Sequence, residues 1–211
     1  MVISIGVTQM RFGYFIRGKH KLKNKSVLLT FDDGPHPEYT PKILEILETE
    51  SCKAIFFIIG SKAEKNPELI QAIVDAGHII GNHTMTHPPL FALSRHSKVN
   101  AEIEKANQTI RALTGQKPVF FRPPIGYTNP IIAKSIKELK LTVIGWTLRS
   151  YDSVFRDPVK LTSRLIKRVK PGQIILLHDN LEVTQSCLAA FITEAKKKGI
   201  TFVQSKENIP L

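Results

Sequence analysis

Short apolar or β-branched runs alternate with amphipathic segments along this chain, and that alternation restricts its fold more than any other feature. Ser26 to Thr30 reads as a first strand and Ala54 to Ile59 as a second. Between them, Pro41 to Glu50 sets Ile43, Leu44, Ile46 and Leu47 on one helical face. Pro67 to Ala76 is the next helix, stopped by Gly77, and His78 to Ile80 a short third strand. A polar helix from about Val99 to Thr114 ends at Gly115, before a fourth strand at Val119 to Phe121. Asn129 followed by Pro130 has the chemistry of a helix start, for a helix running to about Lys140. Thr142 to Trp146 is strand five, Val159 to Val169 a helix, and Gln173 to Leu177 strand six. Thr184 to Lys198, closed by Gly199, precedes a seventh strand at Ile200 to Val203.

Regular βα alternation of this kind belongs to an α/β fold, either a deformed (β/α) barrel of seven or eight parallel strands or an open doubly wound sheet. The polar residues decide between them. Asp32 and Asp33 follow strand one, His83 and His87 strand three, Arg122 strand four, Asp152 strand five and His178 strand six. The carboxyl ends of parallel barrel strands face one rim, so these groups converge although they are distant in sequence. With 211 residues and 42% hydrophobic content, the chain can bury one substantial core. We divide it into a basic N-terminal extension, 1–25, and one catalytic domain, 26–211.

Four segments carry chemistry. In TFDDGP, Thr30 to Pro35, adjacent carboxylates stand where a strand meets a Gly-Pro turn, one placed to grip a cation and the other to reach water bound to it. The bland alternative is a good turn, since Asp, Gly and Pro each favour one. HTMTH, His83 to His87, supplies imidazoles at i and i+4, and Pro88 and Pro89 limit it to a single turn or loop. A pair of buried histidines would be the alternative, but with Asp33 converging on them the three residues make a metal set. Arg122 in FRPPIG, Phe121 to Gly126, sits before a rigid turn and can fix a neighbouring carboxylate, unless it is a surface arginine. The turn also presents backbone amides to a developing oxyanion. In ILLHD, Ile175 to Asp179, His178 ends an apolar strand at the rim, where a histidine can protonate a leaving amine, and Asp152 can pair with it. Asp179 reads as a turn residue or helix cap. His20, His36, His78 and His96 have no such partners and read as structural or surface residues.

Cys52 and Cys187 lack CxxC spacing, which excludes a cysteine-built zinc site and a disulfide framework. The formal charge of +12 implies attraction to polyanions such as an anionic glycan, a cell wall or a membrane surface. No nucleic-acid-binding motif accompanies the basic run from Arg17 through Lys19, Lys21, Lys23 and Lys25, which reads as a solvated arm, so no nucleic-acid partner is expected. The opening segment MVISIGVTQMRFGYFIRGKH is too broken by Gln9, Arg11 and Arg17 for a membrane span. Nor does it have the order of a signal peptide, and the compartment stays open.

With these motifs in hand, residues 26 to 203 resemble the polysaccharide deacetylases of carbohydrate esterase family four. The resemblance implies a cell-envelope or secreted setting, a monomer, and removal of an acetyl group from N-acetylglucosamine-containing glycan of chitin or peptidoglycan type. It implies one divalent ion, zinc with cobalt or nickel as alternatives, held by Asp33, His83 and His87. It further implies Asp32 as catalytic base, Arg122 as the residue holding that base, His178 as general acid with Asp152 as its partner, and Leu176 lining the acetyl pocket. Ile125, Tyr127 and Trp146 complete the implied substrate site, with the Ile125 amide facing the oxyanion. An O-acetyl esterase and a catalytically inactive carbohydrate-binding module are the competing readings. The sequence departs from the family pattern at Ile125, where an aromatic residue is common, and at Arg149 and Ser153, which stand where the fourth motif has an acid and an apolar wall.

Overall fold

Successive side chains of a strand point to opposite faces, so one strand can feed two different cores. The computed structural model describes residues 15–16, 26–205, 207 and 209. Its strands are β1 (Phe15–Ile16), β2 (Leu28–Gly34), β3 (Ala54–Ile58), β4 (Ile79–Asn82), β5 (Phe120–Phe121), β6 (Thr142–Ile144), β7 (Leu148–Arg149) and β8 (Ile174–His178). They form one sheet in the order β1-β6-β5-β4-β3-β2-β8-β7, with every neighbouring pair parallel. The sheet curls into a deformed barrel, as the alternation of elements predicts. Helices α1 (Tyr39–Thr49), α2 (Gly60–Lys65), α3 (Pro67–Asp75), α4 (His96–Thr114), α5 (Pro130–Glu138), α6 (Pro158–Arg168) and α7 (Glu182–Lys197) connect the strands.

Leu29 and Phe31 of β2, Phe56 and Ile58 of β3, and Ile175 and Leu177 of β8 share one apolar cluster with Ile43, Leu47, Leu161 and Leu188 from the helices. The alternate residues Leu28, Ile55, Phe57 and Ile174 belong to a separate cluster with Phe120 and Ile144, inside the curl. Register aligns these interior residues in tiers. Leu28 lies beside Ile174, Thr30 beside Leu176 and Ile55, and Asp32 beside His178 and Phe57. The interior column therefore turns from apolar to polar as it rises towards the carboxyl rim.

The edge strands of the sheet are β1, which pairs with β6, and β7, and the chain passes from β6 to β7 through residues 145–147. The Thr147 amide donates to Ile174 O at 2.9 Å, and the Ile174 amide to Thr147 Oγ1 at 3.0 Å. Arg122 ties down the start of this connection, with Nε donating to Ile144 O at 2.9 Å and Nη2 to Gly145 O at 2.8 Å. Its side chain is fully buried, with the guanidinium carbon 4.2 Å from the Phe57 ring centre. Removing it would orphan two carbonyls and one buried carboxylate. Arg122→Ala should therefore lower unfolding free energy by about 3 kcal/mol, measured by urea titration, whereas a surface arginine would give less than about 0.5 kcal/mol.

Helix ends follow the sequence. Asn129 Oδ1 accepts from the Ile132 amide at 2.9 Å, and Gly115 closes α4 at φ 72°. Three elements depart from it. The strand expected over Thr142 to Trp146 stops at Ile144, and Leu148–Arg149 forms a separate strand on the opposite edge, too short to show a period. Helix α2 arises from the polar segment GSKAEK, which has no apolar repeat. Ile200 to Val203 forms no extended strand among the described residues: it makes the isolated bridge Val27 to Phe202 and accepts from the Lys53 amide at Val203 O, 2.7 Å. Of the expected basic extension, Phe15 and Ile16 pair with Val143 and Ile144, and the run from Arg17 to Lys25, with His20, lies outside the described residues.

Candidate metal centre and catalytic rim

Strict alternation would send Asp32 into the barrel and Asp33 out towards the helices. A register shift between Asp32 and Gly34, with Asp33 in the left-handed region at φ 71°, breaks that alternation. Aspartate tolerates this conformation better than most residues, at a cost of about 1 kcal/mol. Both carboxylates then face the rim. Asp32 is buried, and its Oδ1 accepts from Arg122 Nη1 at 2.6 Å, while the same nitrogen donates to Thr30 Oγ1 at 2.8 Å.

His83 and His87 lie in a loop after β4, without the helical turn that i, i+4 spacing suggests. Left-handed residues Thr84, at φ 69°, and His87, at φ 51°, fold the loop back and leave the two rings 4.9 Å apart. Asn82 organises it: Oδ1 accepts from the Thr84 amide at 2.7 Å, and Nδ2 donates to Ile103 O and Asn107 Oδ1, each at 2.8 Å. Sequence reading missed Asn82, although a polar residue ending an otherwise apolar strand is a usable signal.

His83 Nδ1 lies 2.7 Å from Arg122 O. A carbonyl can only accept, so Nδ1 carries the proton and Nε2 presents its lone pair. That Nε2 is 3.4 Å from Asp33 Oδ1, and His87 Nε2 is 3.6 Å from the same oxygen. Donors about 2.1 Å from a common ion at tetrahedral angles are about 3.4 Å apart, so this trio fits a zinc-sized cation. Burial works to raise the Asp33 carboxyl, but His83, His178 and His87 together hold it well below the usual carboxylate range. Burial and the neighbouring His83 lower His87, favouring the neutral imidazole that a metal requires.

On β8, His178 Nδ1 pairs with Asp152 Oδ1 at 2.8 Å, and the His178 amide donates to Asp152 Oδ2 at 2.7 Å. Thr184 Oγ1 also donates to Oδ2, at 2.8 Å. Nothing in the sequence signals Thr184. Asp152 reaches this position from the end of β7, beside β8, and not from the strand expected at Thr142 to Trp146. Burial alone would lower His178; Asp152, with help from Asp32 and Asp33, overrides it and pushes the imidazole up to about 9.

Leu176 is buried one tier below Asp32 and His178. Ile125, at φ 53°, projects its side chain outward with 78% exposure, and among the described residues its amide has no protein acceptor. Trp146 packs beneath the same turn, where a Cβ on Gly126 would approach it to 2.0 Å. Tyr127 follows the turn, at the boundary of exposure. Asp179 is a turn residue and caps no helix: it is buried under Gly34, accepts from Thr40 Oγ1 at 2.7 Å, and burial pushes it up to about 7. His78 accepts from the Ala54 amide at 3.2 Å, and His36 stacks on Tyr39, both away from the cluster.

The polysaccharide deacetylase family matches residues 19–144. The chain belongs to that family. It is 36% identical over 196 residues to a peptidoglycan-N-acetylglucosamine deacetylase of Bacillus cereus, covering 87% of each chain. Identity to the peptidoglycan-N-acetylglucosamine deacetylase PgdA of Listeria monocytogenes is 34% over 184 residues, 87% of this chain but 39% of that longer one. Among solved structures, BA3943 of Bacillus anthracis, described as a carbohydrate esterase family four pseudoenzyme, matches with a TM-score of 0.79 and 33% identity, over 86% of this chain and 64% of the other. The fold class expected from the sequence is that of these deacetylases.

Proposed function

We propose that this deacetylase hydrolyses the N-acetyl group of N-acetylglucosamine units in a peptidoglycan- or chitin-type glycan. One observation carries the reading: two tethered acid-base groups flank the metal trio, Asp32 held by Arg122 and His178 held by Asp152, on adjacent strands in matching register. A bound ion, zinc in our reading with cobalt and nickel as alternatives, would polarise the acetamide carbonyl and acidify water beside it.

The chain's own groups supply the rest. Arg122 fixes Oδ1 of Asp32, leaving Oδ2 to take the proton of the attacking water. The Ile125 amide donates to the carbonyl oxygen as negative charge develops there. His178, whose Nδ1 is occupied by Asp152, gives the Nε2 proton to the departing nitrogen, and the C–N bond breaks. Leu176 walls the acetyl methyl, while Trp146 and Tyr127 offer surface to the sugar. The charge of +12 favours an anionic polymer such as a cell wall. Among the described residues, no helix is long and apolar enough to cross a membrane.

Acetate release from chitooligosaccharides, peptidoglycan fragments and acetylated xylan tests the reading, with metal-loaded and chelated protein side by side. Release from the first two substrates, lost on chelation, is expected. A preference for xylan would instead mark an O-acetyl esterase, and glycan binding without release the inactive module suggested by BA3943. Metal analysis should show one divalent ion per chain in the wild type and none in a His83→Ala, His87→Ala double variant; full occupancy in that variant would remove the trio from consideration.

A further inference from the structure

Two arginines face one aromatic ring beside the general acid, and among the described residues neither has an acidic partner within 4 Å. The guanidinium carbon of Arg149 lies 4.9 Å from the Tyr151 ring centre and that of Arg164 lies 4.6 Å from it. Register pairs Arg149 with Leu176, which places it on the sheet face that lines the barrel. Its Nε is buried without a hydrogen-bond partner. Arg164 spends donors on backbone carbonyls, Nε on Ser150 O at 3.1 Å and Nη2 on Arg149 O at 3.4 Å, and so is anchored against β7. Nearby acids are committed elsewhere. Asp152 serves His178 and Thr184, and Asp157 caps α6 through the Val159 amide at 2.8 Å.

Tyr151 is held at φ 64°, a conformation costly for an aromatic residue, and remains 36% exposed. Ring stacking partly offsets the repulsion between two guanidiniums but leaves their positive field uncancelled. An unpaired guanidinium donor, preset charge and partial exposure are the makings of a carboxylate site, since a guanidinium donates to a carboxylate in a planar fork. Asp152 follows Tyr151 directly, so the site adjoins His178 and hence the amine-bearing sugar.

The geometry points to Arg149, supported by Tyr151 and Arg164, as a specificity-determining residue that binds a carboxylate on the glycan, on the sugar being deacetylated or its immediate neighbour. This rests on the deacetylase reading and narrows it: the substrate is an acidic N-acetylated glycan. The acid at the start of the fourth motif in related deacetylases would repel such a group, and the arginine here reverses that preference.

A matched pair of oligosaccharides tests it, one carrying a lactyl carboxylate beside the N-acetylglucosamine and the other its neutral methyl ester. The wild type should favour the acid over the ester by about tenfold in kcat/KM, mainly through KM, and about 0.5 M salt should reduce that ratio. Arg149→Gln should bring the ratio close to one, and Arg149→Lys should restore part of it. A structural role would depress both substrates alike and leave the ratio unchanged, which would overturn the proposal. Calorimetric titration of the same ligands separates the two readings. Tighter binding of the acid that disappears in Arg149→Gln, without acetate release from either ligand, would uphold the subsite and refute the deacetylase; equal binding of acid and ester would refute the subsite whatever the turnover.

Discussion

Asp32→Asn should keep its ion and lose about a thousandfold in kcat, within the range attributed to a positioned general base. The substitution preserves shape, and the amide oxygen can still accept from Arg122 Nη1, which contacts Asp32 Oδ1 at 2.6 Å. It changes the other arm of the side chain. Oδ2 stands 3.9 Å from His83 Nε2, on the side where substrate water must lie, and an amide nitrogen there cannot take a proton. Asp33, His83 and His87 are untouched, so metal content should stay at one ion per chain. The contrasting variant is Asp33→Asn, which leaves the base in place and weakens metal retention. Measuring ion content and single-turnover acetate release for both variants separates the roles. Activity of Asp32→Asn within a few-fold of wild type would remove Asp32 as the base.

The convergence of Asp33, His83 and His87 was legible in the sequence because their two compact motifs, distant in sequence, both stand at the carboxyl ends of parallel strands. How Asp33 turns towards the two histidines was not. Period-two reasoning points it away from the rim, and only the register shift at β2 with its left-handed backbone turns it inward. The same limit applies to HTMTH, where a loop with two left-handed residues does what a helical turn was expected to do. Arg122 was recognised as a partner for a carboxylate. Its second task, satisfying carbonyls where β6 ends, depends on contacts 22 and 23 residues further along the chain. Strand β7 escaped notice because two residues carry no period, and with it went the true route by which Asp152 arrives beside His178. Asn82 and Thr184 support the site through hydrogen bonds that tertiary structure alone creates. Arg149 was visible as a departure from the family pattern, while its pairing with Tyr151 and Arg164 was not.

The basic limb of the pH profile should lie near pH 9 and move towards neutrality by roughly 1–3 units in Asp152→Asn. His178 must be an imidazolium to protonate the leaving nitrogen, so activity persists only below its pKa. Burial favours the neutral ring; the hydrogen bond and charge of Asp152 oppose burial and, with Asp32 and Asp33, raise the group to about 9. Removing the Asp152 charge leaves burial opposed only by the two remaining carboxylates. Stability should report the same pair. The folded pKa of His178 exceeds its unfolded value near 6.5, so its contribution is fully present below that pH and fades as pH rises through about 9. Asp152 is depressed by His178 and Thr184 against the effect of burial, and its contribution fades instead as pH falls through its folded value. Substrate chemistry supplies the decisive comparison. An activated acetate ester expels a stable leaving group without protonation, whereas an amide nitrogen must receive a proton before the C–N bond breaks. His178→Ala should therefore cost amide hydrolysis about a hundredfold or more and leave hydrolysis of an activated ester within several-fold of wild type. Equal losses on both substrates, or a basic limb unmoved in Asp152→Asn, would reduce His178 to a substrate-binding or structural residue.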